Sequence, residues 1–241
     1  MTLLGRLPIA VGLVGTVVLS VAAQTPQTPW RARPHVLVPL MGAWTADYEE
    51  ARQILTIDGT KALTPPSPQV ARSVFGEDAR NLAAAWPLAT SYPIAVVRDI
   101  KDFPGGRLAV QFKLVSGATD QTAGIVFNLQ PDGTYLYARY NTKDGNVAVW
   151  KFENGARAVL THGAAHEQLP FGQWHTLDVV VSATAVTATV NGRLVVRHAL
   201  DRPVTGRVGV WTKADSVTAF RAFQAAGQHH QIRGGGATGA R

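Results

Sequence analysis

The sequence predicts an all-β fold of two packed antiparallel sheets, with a short N-terminal helical or irregular segment. Three observations lead there. From Tyr92 to Phe223 the apolar residues recur with period two, as they do in half-buried strands. The runs are cut at roughly ten-residue spacing by turn chemistry: Pro131-Asp132-Gly133, Lys143-Asp144-Gly145, Glu153-Asn154-Gly155 and Asn191-Gly192. No helical period lies between the runs, so the connections are hairpins rather than crossovers of the βαβ kind. A single sheet with one apolar face has to cover that face, and the economical cover is a second sheet.

The elements follow in order. Arg6, an uncharged apolar run from Leu7 to Val21, and the small residues Ala22 and Ala23 before Gln24 read as a secretory signal over 1–23. The run falls short of the roughly 20 residues that span a bilayer, so no stable membrane anchor is expected after cleavage, and the chain is expected to be secreted or periplasmic. Residues 24–40 open with Pro, Thr and Gln and are assigned as a linker, 41–226 as the sandwich domain, and 227–241 as a Gly-rich disordered tail. Trp44 to Ile57 reads as a short helix or a first strand. Ser73 to Trp86 reads as a short helix stopped by Pro87. Strands are expected at Ile94–Val97, Arg107–Val115, Ala123–Gln130, Thr134–Asn141, Asn146–Glu153, Trp174–Val181, Ala185–Val190, Arg193–Ala199, Arg207–Thr212 and Val217–Phe223.

Alternation sorts the side chains into faces. Leu136, Ala138 and Tyr140 are assigned to the core, and Tyr135, Tyr137, Arg139 and Asn141 to the outward face. Ile125, Phe127 and Leu129 point in, whereas Gly124, Val126, Asn128 and Gln130 point out. Gly209, Trp211 and Lys213 share a face, with Asp215 beside them. For Asn146–Glu153 either Val147 and Val149 or Ala148 and Trp150 fit the core, and the pattern does not choose. An outward face that collects Tyr, Trp, Asn, Arg and Lys is what a sugar groove requires. Pyranose rings stack on aromatic faces and their hydroxyls need fixed donors and acceptors. The expected ligand-binding set is Asn128, Tyr135, Tyr137, Arg139, Asn141, Trp211, Lys213 and Asp215.

Several function classes are disfavoured. With no Cys, thiol catalysis and cysteine metal sites are excluded. The net charge is +7, but the basic residues are scattered with no aromatic–basic motif, which argues against a nucleic-acid partner. Glycoside hydrolysis uses two flanking carboxylates, and the Glu-x-Asp-x-Glu strand motif that would aim them into one groove is absent. The acids sit at Asp47, Glu49, Glu50, Glu77 and Asp78, and in the turns at Asp132, Asp144 and Glu153. No cofactor is expected. Asp99, Asp102 and Asp120 at strand ends offer oxygen ligands for Ca²⁺ without a specific spacing. His162 and His166 are four apart but in a Gly/Ala loop, and His229-His230 lies in the tail, so zinc is not expected at either.

The segments AGIVF, YLYARYN, NVAVWK, WHTLDV, VNGRLV and VGVWTKADSVTAF, in that order over 92–223, resemble a family of secreted bacterial domains. These are the laminin-G-like and 3-keto-disaccharide hydrolase-like (3-keto-glucoside lyase/hydratase) domains with the concanavalin A-like jelly-roll fold. The resemblance implies that jelly roll and, through the family, an activity on glycosides or 3-keto-disaccharides. The chain departs from the family in carrying Tyr135 to Tyr140 where hydrolase members have an acidic, Gln-bearing strand, and Arg221-Ala222 where members carry paired acids. The expected function is carbohydrate binding without evident catalysis. The alternatives are a hydrolase or lyase on glycosides or 3-keto-disaccharides, and a non-catalytic envelope interaction protein.

Overall fold

The computed structural model describes residues 33–63, 66–79 and 92–227. The expected signal, most of the linker, the end of the expected helix and the tail with its two histidines lie outside the described residues. Fifteen strands and one α-helix follow in order: β1 (Arg33–Pro34), β2 (Leu37–Met41), β3 (Trp44–Glu49), β4 (Arg52–Asp58), α1 (Pro68–Phe75), β5 (Ile94–Val97), β6 (Gly106–Ser116), β7 (Thr122–Leu129), β8 (Tyr135–Asn141), β9 (Asn146–Glu153), β10 (Ala156–His162), β11 (Trp174–Val181), β12 (Ala185–Val190), β13 (Leu194–Ala199), β14 (Arg207–Trp211) and β15 (Val217–Gly227).

The strands form two sheets, with every pairing antiparallel. One runs β13-β12-β11-β6-β15-β4-β3, with β1 also against β15, and the other runs β10-β9-β8-β7-β14-β5-β2. Consecutive strands β7 to β10 are joined by hairpins, but β14 returns from far along the chain to lie between β7 and β5. That long return makes the sandwich a jelly roll. Asn191 and Gly192 both have positive φ (50° and 67°), the twist that a tight turn between right-handed strands requires, and the Arg193 N–H closes the turn on the Val190 carbonyl at 3.0 Å. Gly209 on β14 is required by close approach, since a β-carbon there would come within 2.0 Å of the Ala95 carbonyl oxygen on β5.

Between the sheets lies a continuous apolar layer. Leu108, Val110, Phe112 and Leu114 of β6 and Leu177, Val179 and Val181 of β11 face Ile125, Phe127, Ala138, Tyr140, Val147 and Val149 of the other sheet. Each large side chain so buried contributes about 1.5–3 kcal/mol relative to exposure. The period-two assignment of these positions holds, and the register of β9 is settled with Val147 and Val149 inward.

The structure also departs from the expected elements. The end of the stretch assigned as linker, Leu37 to Leu40, belongs to strand β2 (Leu37–Met41), with Leu37, Leu40 and Met41 buried. Trp44 to Ile57, read as a short helix or a first strand, forms two strands, the β3–β4 hairpin. A helix, α1, begins at Pro68, before the Ser73 start expected, and the alanines of the expected helix lie outside the described residues. Ser67 caps it by accepting the Val70 N–H, Pro68 occupies the first turn, and Gly76 at φ 62° ends it. Strand β10 was not anticipated, because most of its residues are exposed and the alternation is weak there. Leu129, expected inward, lies on the other face, since Asn128 at φ 54° makes a bulge that shifts the register against β14 by one residue.

Candidate functional site

The outer face of the β2-to-β10 sheet was expected to be wet, and most of it is not. A second apolar cluster covers it: Ile94 and Val96 of β5, Val126 of β7, Tyr135 and Tyr137 of β8, Phe152 of β9 and Trp211 of β14, with Leu40 and Met41 of edge strand β2 and with Ala71 and Val74 of α1. Tyr135, Tyr137 and Trp211 are each 1% exposed. Tyr135 stacks on Phe152 at 4.9 Å and Tyr137 on Trp211 at 4.1 Å, and the Trp211 indole N–H donates to the Tyr135 hydroxyl at 3.3 Å. Burial pushes both phenols up from their ordinary pKa. The expectation that Tyr135, Tyr137, Arg139 and Asn141 share a face is right, but the expectation that the face is solvated is wrong. The covering residues come from the start of the domain, far from these strands in sequence.

Toward one end of this face the apolar cover gives way to a groove of about 700 Å³. The β8–β9 hairpin aims alternate residues into it: Arg139 and Asn141 from β8, Asn146 and Trp150 from β9, and Asp144 from the turn between them. Asp120, just before β7, and Lys213, just after β14, close one side. Arg157 and His162 of β10, with His166 beyond it, form the other. The groups interlock. Arg139 donates to Asn146 Oδ1 at 2.8 Å and to Asp144 Oδ2 at 2.7 Å. The Asn141 amide nitrogen donates to both Asp120 Oδ1 and Asp144 Oδ2 at 3.2 Å, so the two carboxylates lie no further apart than twice that distance. Lys213 Nζ stands 2.5 Å from Asp120 Oδ2.

The electrostatics follow from burial. Arg139 is 5% exposed, and its pKa is lowered by loss of solvent despite the Asp144 charge beside it. Its guanidinium also lies 5.8 Å from the centre of the Trp150 ring. Asp215 works from behind the groove. Its carboxylate accepts the backbone N–H groups of Ala118 (2.8 Å), Thr119 (2.9 Å) and Asp120 (2.9 Å), which hold its pKa down at about 2. It therefore fixes the loop that carries Asp120.

The folded pKa of Asp215 lies below its unfolded value, so its stabilisation is fully present above about pH 4 and is lost as pH falls toward 2. Asp215→Asn is expected to cost about 1–2 kcal/mol at neutral pH and to flatten that part of the stability–pH curve. Urea midpoints measured between pH 2 and 7 check it, and parallel curves for the two proteins would refute the role.

The geometry can be set beside known proteins. A family profile described as the 3-keto-alpha-glucoside-1,2-lyase-like domain matches residues 95–231, more than half of the chain. The chain belongs to this family. Among solved structures it is similar to the carbohydrate-binding module CBM66 from Bacillus subtilis, at 14% identity and TM-score 0.56, over 82% of this chain and 100% of that one. It is also similar to a Bacillus subtilis protein of unknown function with galectin-like fold (11%, TM-score 0.49, 80% and 96%) and to Bacillus licheniformis beta-glucanase (11%, TM-score 0.45, 86% and 95%). No curated protein matches the chain. The likeness to CBM66 shows the concanavalin A-like jelly roll that the sequence predicted.

In this member of the 3-keto-alpha-glucoside-1,2-lyase-like family, four residues of the expected set meet at the groove: Arg139, Asn141, Trp211 and Lys213. Asp215 supports it, and Tyr135 and Tyr137 lie in the apolar cluster beside it. Asn128 is elsewhere. It occupies the β7 bulge, where its side-chain oxygen accepts the Thr205 N–H at 3.1 Å. The three acids considered for calcium are engaged by the protein and do not converge: Asp99 with His35, Asp102 with the Gly206 N–H, and Asp120 with Lys213. Among the described residues no group of three or more potential ligands is arranged to hold a metal. Sequence reasoning missed Asp144, Asn146, Trp150 and Arg157 as site residues. Asp144 and Asn146 look like ordinary turn residues, the face of Trp150 depended on an undecided register, and Arg157 sits on the strand that was not anticipated. His162 and His166 were noticed as a pair, and both line the groove. His166 Nδ1 lies 2.9 Å from the Asp144 carbonyl oxygen.

Proposed function

We propose that this groove binds a carbohydrate and that the chain is an exported sugar-binding domain. The observation that carries the reading is the interlocked set Asp120, Arg139, Asn141, Asp144 and Lys213 at the mouth of an aromatic cluster. Fixed donors and acceptors beside Trp150 suit a ring that offers hydroxyls at its edge and C–H groups on its face. The family description names a 3-keto glucoside and the similar Bacillus subtilis structure is named a carbohydrate-binding module, which agree with a sugar ligand.

A second reading is lyase chemistry on a 3-keto glycoside. The 3-ketone acidifies the hydrogen on C2. A base that removes it leaves an enolate, and collapse of the enolate breaks the C1–O bond and releases the alcohol after protonation. Two features favour this reading. Arg139 and Lys213 bring positive charge to the groove, which would stabilise an enolate oxygen bound beside them, and Asp144 and His166 line the same groove as candidate proton acceptors.

The test uses protein recovered from the exported fraction of expressing cells, where intact mass reports whether residues 1–23 have been removed. Calorimetry against glucosides and 3-keto-glucosides is expected to show binding. Asn141→Ala, which cuts the link between the two carboxylates, is expected to weaken it at least about tenfold, as loss of hydrogen bonds to charged groups does. Release of aglycone from the keto-glycoside separates the lyase from the binder. No binding to any glycoside by folded protein removes both readings.

A further inference from the structure

The groove's charges pair off, with one cation left over. Asp120 is matched by Lys213 and Asp144 by Arg139. Glu153, the nearest acid along the β9–β10 hairpin, is taken by Lys151 at 2.6 Å. Arg157 lines the groove with no carboxylate paired to it among the described residues, and its charge and N–H groups act on the Tyr137 hydroxyl. Its guanidinium also lies on aromatic faces, 4.9 Å from the Trp150 centroid and 5.6 Å from that of Tyr92. Directly beneath are the two buried side-chain polar atoms that make no hydrogen bond of good geometry among the described residues, the Tyr137 hydroxyl and the Trp150 indole N–H. Tyr137 is fully buried, and Trp150 stacks on it at 6.2 Å. Arg157 and the Trp150 indole thus stand at one wall of the groove with the Tyr137 hydroxyl beneath them, and that hydroxyl is the one group of the three able to accept. Leaving such groups unmet is costly, and a guanidinium fork matches a planar or tetrahedral oxyanion.

We propose that the ligand is an acidic sugar, and that its oxyanion substituent is received by Arg157 at the Trp150 wall. This rests on the sugar-binding reading and specifies its ligand class. A carboxylate and a phosphate share the required chemistry. Arg157 is on the edge strand β10, its neighbours Ala156 and Ala158 are exposed, and no ion pair holds it, so its side chain is able to turn from the indole face toward an incoming oxyanion.

The test compares three ligands of one linkage by calorimetry: a glucoside, the corresponding glucuronide, and the 6-phosphoglucoside. They are titrated into the wild-type chain, Arg157→Gln and Arg157→Lys, with melting curves confirming that each variant is folded. At least one acidic ligand is expected to bind about tenfold or more tightly than the glucoside. Added salt is expected to weaken it selectively, and Arg157→Gln to bring the ratio within about threefold. Arg157→Lys, which keeps the charge but not the fork, is expected to fall between. The glucuronide and phosphate arms tell the two oxyanions apart. Equal binding of acidic and neutral ligands, or a preference that survives Arg157→Gln, overturns the acidic-sugar inference and leaves the sugar reading standing. Absence of binding by all three overturns the acidic-sugar inference, and failure of the 3-keto-glucoside as well overturns the sugar reading.

Discussion

Trp211→Ala is expected to destabilise the fold by about 3–5 kcal/mol, the range for removing a buried large aromatic. Trp211 was expected on the outward face, where its loss would cost affinity and little stability. It is instead the largest of the fully buried side chains. Tyr137 lies on one part of it at 4.1 Å and Tyr92 at 5.8 Å, and its removal deprives the buried Tyr135 hydroxyl of its donor. Collapse cannot readily refill the space, because Gly124 already brings its backbone against the indole: a β-carbon there would be 3.1 Å from Trp211 Cε3. Urea unfolding at neutral pH checks this, with Phe171→Ala as the comparison, since Phe171 is 44% exposed and its loss is expected to cost under about 0.5 kcal/mol. A loss at Trp211 below about 1 kcal/mol would place the indole at the surface and restore it as a ligand platform.

That prediction marks where the sequence is legible and where it is not. Alternation is a local property, so it reported correctly that Tyr135, Tyr137, Arg139 and Asn141 share a face and that Ala138 and Tyr140 oppose them. Turn chemistry is equally local, and the Asn-Gly and Asp-Gly hairpins fall where expected. Whether a face is wet is not local. Ala71 and Val74 of α1, and Leu40 and Met41 from the far edge strand of the same sheet, complete the apolar cluster on this face; all come well before β8 in the chain, and no periodicity in β8 announces them. Strands buried on both faces also lose their polar alternation, and β5, with four consecutive buried residues, shows the result. The site was half legible for the same reason. Arg139, Asn141 and Lys213 stood out by type and face, whereas Asp144 and Asn146 were explained too easily as turn residues, and Arg157 depended on an exposed edge strand with weak patterning. Asn128 was misplaced by a single bulge, which no alternation rule foresees.

Removing either member of the Arg139–Asp144 pair is expected to have unequal effects on stability, because the two side chains are unequally buried, at 6% and 47% exposed. Asp144→Ala leaves a guanidinium in the protein without its paired carboxylate, the more distant Asp120 being already matched by Lys213. Asn146 and the Trp150 ring remain, and neither neutralises it. Stranding one partner of a fully buried pair costs about 3–5 kcal/mol, and with Asp144 half in water about 2–3 kcal/mol is expected. Arg139→Met keeps much of the buried stem and strands only an aspartate that water can reach. About 1 kcal/mol is expected there, chiefly from the unmet Asn146 oxygens. The double variant should then lie near Arg139→Met and above Asp144→Ala, because removing the guanidinium removes the cost of its isolation. Chemical denaturation at neutral pH gives all three values. Ligand affinity, measured in parallel, is expected to fall in each, since both groups face the groove. The inverse order of stabilities, with Arg139→Met the more damaging, would mean that Asp144 rather than Arg139 depends on the pair for its place in the fold.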